Sequence, residues 1–395
     1  MTNSTPSKQN LIVSGLVGAA LIVLAMMYYS PIWWVSLTAP NYPEEAFPDG
    51  VRIQFHMNGV FNGCKKIDND EIVEDEALDC VHEMDTINHY VGMYPIAAGG
   101  PVERAFSQFL IIFLAVMLVG FVATNPKLRM GILGTGFAAI FVWMYLTMYS
   151  DDGIALENGG FIYAMVNSLD QDASDKDASA GDLDAGAALI ARMKESLKAS
   201  GVEVEEDKPE KDITEKQRLL DSIRITFEKG QQNQDPSLRE PWNGSAYQVM
   251  GWHYGKSLGR YFNNQEEIVP MVKTLKMAIN VVFFGLSAAM LFMLIATRRT
   301  GKLFYWLLVV IPLALPFFFV VEYAAWLWWF GHSLNEMGAF TVKPFMPTVF
   351  GQGKVAQFST HSYPDIGFLL MLIFSVLLSA AALVRRRQLK ENDTL

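Results

Sequence analysis

The chain has 395 residues, of which 51% are hydrophobic, and its formal net charge at pH 7 is −10. A water-soluble domain seldom contains such a large apolar fraction, so the composition favours a membrane protein. The negative charge argues against nucleic acid as a partner.

Six stretches of about 20 mainly apolar residues each predict a transmembrane helix, because a lipid-exposed backbone must satisfy its hydrogen bonds internally. The stretches are residues 11–29, 105–124, 131–149, 277–297, 303–330 and 366–384. The predicted fold is therefore a polytopic α-helical membrane protein with six transmembrane helices. Aromatic residues rather than a small-x-small cleavage site follow the first stretch, which indicates a retained anchor.

Lysine and arginine are concentrated in three short segments, NPKLRM, TRRTGK and RRRQLKENDTL. Short cytoplasmic loops are enriched in these residues, so both termini are predicted to be cytoplasmic and the large loops periplasmic, in a bacterial inner membrane. The lipid bilayer is then an obligatory partner. The membrane regions comprise residues 1–30, 105–149, 277–330 and 366–395, and the outer regions comprise residues 31–104, 150–276 and 331–365.

The first outer region is predicted to be rich in β-structure. Its segment VRIQFHMNGVF alternates apolar and polar residues, as a half-buried strand does. The region also holds the only two cysteines, Cys64 and Cys80. An exported compartment favours a disulfide between them, and two thiolate metal ligands are the alternative.

The other outer regions are predicted to be helical in one case and loop-like in the other. An acidic insert at residues 169–186 has the composition of a solvated loop, and its role is unassigned. AGAALIARMKESLKA, ITEKQRLLDSIRITFEKG and SAYQVMGWHYGKSLGRYF each predict an amphipathic helix. The third region is rich in Gly and Pro and predicts an ordered loop or short strands. Together the outer regions predict an extracytoplasmic α+β domain.

Possible metal ligands are concentrated in HEMDTINHYVGM, residues 82–93. His89 and Met93 are four residues apart, so they would share one face of a helix. Imidazole and thioether ligands together suit copper, especially Cu(I), because thioether is a soft ligand. We predict these two as primary ligands. The further candidates are His82, Met84, His56 and His361. In the alternative interpretation the methionines are packing residues and His89 caps a turn.

Glu322 lies inside the fifth predicted span, in FFFVVEYAAWLWW. An ionisable side chain within the membrane is costly, which makes this residue a candidate for a functional role. Its position near the outer interface also allows a simple structural role.

Two segments, MDTINHYVGMYPI and KPFMPTVFGQGKVAQFSTHSYPDIGF, resemble recurring signatures of poorly characterised bacterial six-span membrane proteins. These proteins are encoded near genes for nitrous-oxide reductase and other periplasmic copper enzymes. The matching positions are Asn88, His89, Tyr90, Gly92 and Met93 in the first segment, and Lys343, Pro344, Phe345, Pro347 and Gly351 in the second. Asp85 replaces an asparagine of the family's pattern. The resemblance implies a role in copper supply to, or assembly of, a respiratory enzyme.

The leading prediction is an inner-membrane protein whose periplasmic domain binds copper and passes it by ligand exchange to a periplasmic copper protein or respiratory complex. One alternative is a metal-free accessory subunit or scaffold of a membrane respiratory complex. Another is a transporter in which Glu322 faces a polar path. An enzyme is not predicted, since the sequence contains no recognisable pairing of a nucleophile with a base.

Overall fold

The computed structural model describes residues 8–66, 77–170, 214–232, 234–298, 302–355 and 357–393. Most of the acidic insert, and the first of the three predicted amphipathic helices, lie outside these residues.

The described part of the chain is mostly helical, with one small antiparallel sheet. The helices are α1 (Lys8–Tyr28), α2 (Cys80–Tyr90), α3 (Pro101–Val122), α4 (Pro126–Tyr149), α5 (Gly159–Asp170), α6 (Glu215–Gln232), α7 (Ala246–Phe262), α8 (Gln265–Arg298), α9 (Lys302–Leu313), α10 (Leu315–His332) and α11 (Ile366–Asp393). The strands are β1 (Trp33–Thr38), β2 (Val51–His56), β3 (Gly59–Asn62), β4 (Gly351–Val355) and β5 (Phe358–Pro364).

Five of the described helices, α1, α3, α4, α8 and α11, are long and apolar enough to cross a membrane. The consecutive helices α9 and α10 form a sixth candidate span, but they are bent by 57° relative to each other. The count agrees with the predicted six spans when the bent pair is taken as one. The fifth predicted span, residues 303–330, is therefore broken rather than a single straight helix.

Two prolines account for the bend between α9 and α10. Pro316 has no N–H to donate to the carbonyl of Pro312 one turn earlier, and its ring crowds that carbonyl. Before the bend, α9 packs against α3 and α11. After it, α10 packs mainly against α11.

The bundle has two chemically different ends. At one end, which we call the basic end, the buried Arg385 donates hydrogen bonds to the side chain of Asn10 and to the carbonyl of Val122. This arginine thereby joins α1, α3 and α11. The strands and the helices α2, α5, α6 and α7 lie at the opposite end, which we call the sheet end.

The sheet has the strand order β3-β2-β1-β5-β4, and all pairs are antiparallel. β1 occupies the centre, where Trp33 pairs with Phe55 on one side and with Pro364 on the other. The first and third outer regions therefore contribute to a single sheet. Trp33 also packs against Phe319 of α10 and Phe368 of α11, which fixes the sheet to the spans.

The helix α2 covers one face of the sheet. Its residues Met84 and Ile87 are buried with Leu37, Val51 and Ile53 of the strands. Cys64 and Cys80 form a disulfide between the chain following β3 and the start of α2, which confirms that prediction. Oxidised cysteines cannot be the two thiolate ligands of the alternative interpretation.

Three further sequence predictions are confirmed by the structure. The alternating segment forms the hairpin of β2 and β3, and the second and third predicted amphipathic helices are α6 and α7. In α6 the buried residues are Ile223 and Phe227, one turn apart, as an amphipathic helix requires. Phe227 contacts Trp242 and Trp252, which joins α6 to α7.

Candidate functional site

A cavity of about 840 Å³ lies where the spans α3, α8 and α10 meet the face of the sheet that α2 covers. Its volume falls within the range of small-molecule sites, about 300–1,000 Å³. The lining is mostly aliphatic and aromatic. The cavity is therefore suited to a ligand that is largely apolar.

The helix α10, which follows the bend, borders this cavity and packs mainly against α11. At the C-terminal end of α10 the chain preceding α3 packs closely against this helix. There Gly99 packs so near Phe330 that an added Cβ would lie 2.8 Å from the ring. On α8, by contrast, a Cβ added at Gly285 would have no neighbour within 4 Å. Gly285 thus keeps one wall of the cavity free of side chains.

Two carboxylates lie on the walls of the cavity, Glu103 in the first turn of α3 and Glu322 on α10. Both side chains are exposed, and neither makes a hydrogen bond or an ion pair with any residue that the structure describes. Carboxylates beside apolar walls are unfavourable unless a donor or a cation compensates them. A donor or a cation on a ligand would supply that compensation.

Asn88 of α2 supplies a donor to the same cavity. Its side chain is 7% exposed, and its Nδ2 has no acceptor within the described part of the chain. A buried amide nitrogen without a partner costs about 1–3 kcal/mol. A ligand oxygen in the cavity would remove that cost.

Asp85 and Arg104 together hold the loop that forms another part of the wall. The carboxylate of Asp85 accepts hydrogen bonds from the backbone N–H groups of Ile96, at 2.6 Å, and Ala97, at 3.2 Å. Arg104 donates to the carbonyls of the same two residues, at 3.0 and 2.8 Å. Burial raises the pKa of Asp85 to about 7. Because Arg104 bonds to these loop carbonyls, it makes no ion pair with Glu103 or Glu322 in the described part of the chain.

Three of the six predicted metal ligands, His56, Met84 and Met93, line this cavity. Burial lowers the pKa of His56 to about 4, so its imidazole is neutral near pH 7 and keeps a free lone pair. These side chains fit a soft ion such as Cu(I) in chemical kind. Within the described ranges, no three His, Cys, Asp or Glu residues are grouped so that they could hold a metal ion.

The other three predicted ligands lie elsewhere. His89 packs against Tyr261 and Phe262 of α7, with ring centroids 5.9 and 5.3 Å apart. His82 lies at α7 as well, with its Nδ1 3.3 Å from a guanidinium nitrogen of Arg260. His361 is on the opposite face of the sheet, where it lines a polar depression. The structure thus does not bring all six predicted ligands to one point.

The prediction that His89 and Met93 share a helix face is wrong, because α2 ends at Tyr90. Gly92 adopts a left-handed conformation with φ +78°. The N–H of Gly92 then bonds to the carbonyl of His89, and the N–H of Met93 bonds to that of Asn88. This pair of bonds is the Schellman motif, which terminates a helix. Met93 consequently points to the cavity from a loop, independently of His89.

Sequence reasoning identified Glu322 but not its companions Asn88 and Glu103 as members of a site. Glu103 is an acid in the first turn of an apolar helix, a position that is usually explained by the helix dipole. The pair of prolines in IPLALPFF was the available signal for the break that precedes α10.

Fold and site together define a multi-pass helical protein with a small antiparallel sheet and a cavity where the two meet. No family model, curated protein or solved structure matches this chain. The family resemblance therefore stays a prediction.

Proposed function

We propose that this protein takes an amphiphilic molecule from the membrane into the cavity between α3, α8, α10 and the sheet. The single observation that supports this proposal is the position of the cavity. It extends from membrane-spanning helices to the sheet, and its few polar groups lie among apolar walls. The apolar chain of the ligand would lie along the spans, and its head would lie near Glu103, Glu322 and Asn88.

Lateral entry is consistent with the side chains on the membrane-facing side of the cavity. Leu110 of α3 and Val281 of α8 line it and are exposed. Transfer of the ligand's chain from lipid into such a cavity involves little change in hydrophobic free energy, because both surroundings are apolar. The polar groups would therefore decide whether the ligand stays. We further propose that the sheet end is periplasmic, so that the ligand would be available to partners on that side.

Substitution of Gly285 tests this proposal. A leucine at position 285 has room on α8 and would fill part of the cavity. We expect Gly285→Leu to weaken binding of a pyrene-labelled fatty alcohol to the purified protein by at least about tenfold, because the new side chain occupies space that the alcohol's chain would fill, and overpacking costs about 1–3 kcal/mol. Leucine also favours a helix more than glycine does, so the variant should remain folded.

Gly18→Leu is the matched control. Gly18 also lies in a span, α1, where an added Cβ would have no neighbour within 4 Å, but it does not line the cavity. This variant should bind the fluorescent alcohol as the wild type does. Equal affinities for Gly285→Leu and the wild type would show that the alcohol does not bind in the cavity.

A second candidate function is the supply of copper to a periplasmic or respiratory copper enzyme. The specific observation in its favour is that His56, Met84 and Met93 line one cavity and that His56 is neutral at pH 7. These three residues would hold Cu(I), and their moderate affinity would let a partner copper protein remove it.

Copper titration under reducing conditions, with a competing chelator, tests this second candidate. We expect the wild type to bind about one Cu(I) per chain, and His56→Ala/Met93→Ala to bind none. His361→Ala is the control and should retain copper. His89→Ala separates the two ligand sets: it should retain copper if the cavity residues are the ligands, and lose it if the sequence-based set is correct. If the wild type binds no copper, the copper proposal fails and the metal-free alternative remains.

A further inference from the structure

We infer that the head of the ligand is a quinol ring, so that the cavity binds a membrane quinol in preference to its oxidised quinone. This inference rests on the proposed function, because it names the ligand of the same cavity. It concerns binding alone.

The two carboxylates restrict the head group first. Glu103 and Glu322 project from different spans into one cavity, and neither has a donor among the described residues. Ionised carboxylates only accept hydrogen bonds. A ligand that offers donors would satisfy them, whereas a head with a negative charge would be repelled. Phospholipids carry a phosphate anion, which disfavours them even when an amine is also present.

Asn88 adds the opposite requirement. Its buried and unpartnered Nδ2 is a donor, so the ligand must also offer an acceptor. A hydroxyl group on a neutral ring satisfies both demands, since its oxygen accepts while its O–H donates. A quinol carries two such groups on opposite sides of one ring, which allows contact with both α2 and the carboxylates.

The walls suit a flat ring on a long apolar chain. Aromatic side chains from the sheet and from α10 line the same cavity, namely Phe55, Phe319, Tyr323, Trp326 and Phe330. Aromatic rings attract one another beyond simple burial when they are stacked or edge-to-face. The aliphatic residues Leu110, Val281 and Leu286 then line the path that an isoprenoid chain would follow along α3 and α8.

The oxidation state of the ring should control affinity. The carbonyl oxygens of a quinone accept from Asn88 but have nothing to donate to Glu103 or Glu322. We expect the wild type to bind reduced decylubiquinol about tenfold more tightly than decylubiquinone, since one hydrogen bond to a charged acceptor is enough for this ratio. Both Kd values would be measured anaerobically on the full-length protein in detergent.

The double glutamine variant distinguishes recognition of the head from a structural role. In Glu103→Gln/Glu322→Gln the new amides can donate to carbonyl oxygens, so quinone should bind at least as tightly as quinol. A merely structural effect would weaken the binding of quinol and of quinone equally. Asn88→Leu should weaken both forms by a similar factor, because Asn88 donates to an oxygen in either. A double glutamine variant that keeps the tenfold preference would overturn the inference.

The outcomes separate this inference from the proposed function. If Gly285→Leu loses the fluorescent alcohol but the wild type shows no preference for quinol, the quinol assignment fails and the cavity remains an amphiphile site. If Gly285→Leu binds the alcohol and the quinol as the wild type does, both proposals fail. Loss of quinol binding in Gly285→Leu, together with reversed preference in the double glutamine variant, supports both.

Discussion

Asp85 is the residue whose protonation most directly affects the wall of the cavity. Its carboxyl is fully enclosed, and burial raises its pKa to about 7. The hydrogen bonds that it accepts from two backbone N–H groups lower the pKa, but by less than burial raises it. In the unfolded chain the same group titrates near pH 4. Between these two values the folded state binds more protons than the unfolded state, so the free energy of unfolding falls as pH rises from about 4 to about 7.

The variant Asp85→Asn tests this pH dependence. We expect it to reduce the fall in stability over that pH window, by at most about 1.4 kcal/mol per pH unit, because the titrating group is gone. Below pH 4 the variant should be slightly less stable than the wild type, since the amide oxygen replaces two acceptor oxygens. Thermal unfolding in detergent between pH 4 and pH 8 measures both effects.

Asp221→Asn is a suitable control for this experiment, because Asp221 is an exposed carboxylate on α6. It should have the pH profile of the wild type. A profile for Asp85→Asn that is parallel to the wild type throughout would show that the pKa of Asp85 is the same in the folded and unfolded states.

At the scale of single elements, the outcome of sequence reasoning depended on how far apart the interacting residues are. The hairpin of β2 and β3 and the helix α6 are local, and their own periodicity predicted them. The pairing of β1 with β5 joins Trp33 to Pro364, which are more than 300 residues apart. A single sequence contains no signal for such a register. Local conformation also misled the ligand prediction, since Gly92 ends α2 before Met93.

The cavity was beyond sequence reasoning for the same reason. Its polar groups come from Asn88, Glu103 and Glu322, and the last of these is brought close only by the packing of α10. Sequence position marked Glu322 as costly in a membrane, but it could not indicate the partners that share its space.

The broken span offers a prediction at the element scale. Pro316 lies in the first turn of α10, and replacing it by alanine supplies an N–H that can bond to the carbonyl of Pro312 and so continue the helix through the bend. We expect Pro316→Ala to reduce the bend, move α10 towards α3 and α8, and narrow the cavity. The variant should melt at a higher temperature than the wild type and bind the fluorescent alcohol several-fold more weakly.

Pro270→Ala provides the comparison, because Pro270 also lies inside a helix, near the start of α8, and does not line the cavity. It should leave ligand affinity unchanged. If Pro316→Ala stabilises the protein without affecting affinity, the bend would not be what keeps the cavity open.

At the scale of the whole molecule, the two ends of the bundle differ in ways that bear on orientation. The disulfide between Cys64 and Cys80 lies at the sheet end, and disulfides persist in oxidising compartments. Arg385 and the exposed Arg386 lie at the basic end, and basic residues flank spans on the cytoplasmic side. These two observations are the grounds for the proposed orientation, with the sheet in the periplasm and the basic end in the cytoplasm.

Thiol labelling in intact cells tests this orientation. Lys354 is exposed on β4 at the sheet end, and Arg386 is exposed on α11 at the basic end. The native cysteines are bonded to each other, so a cysteine introduced at either position is the only reactive thiol in the described part of the chain. We expect a maleimide that cannot cross the inner membrane to label Lys354→Cys in spheroplasts, and to label Arg386→Cys only after lysis. The reverse pattern would place the sheet in the cytoplasm, where the disulfide would be reduced and any exchange of ligand with a periplasmic partner would be impossible.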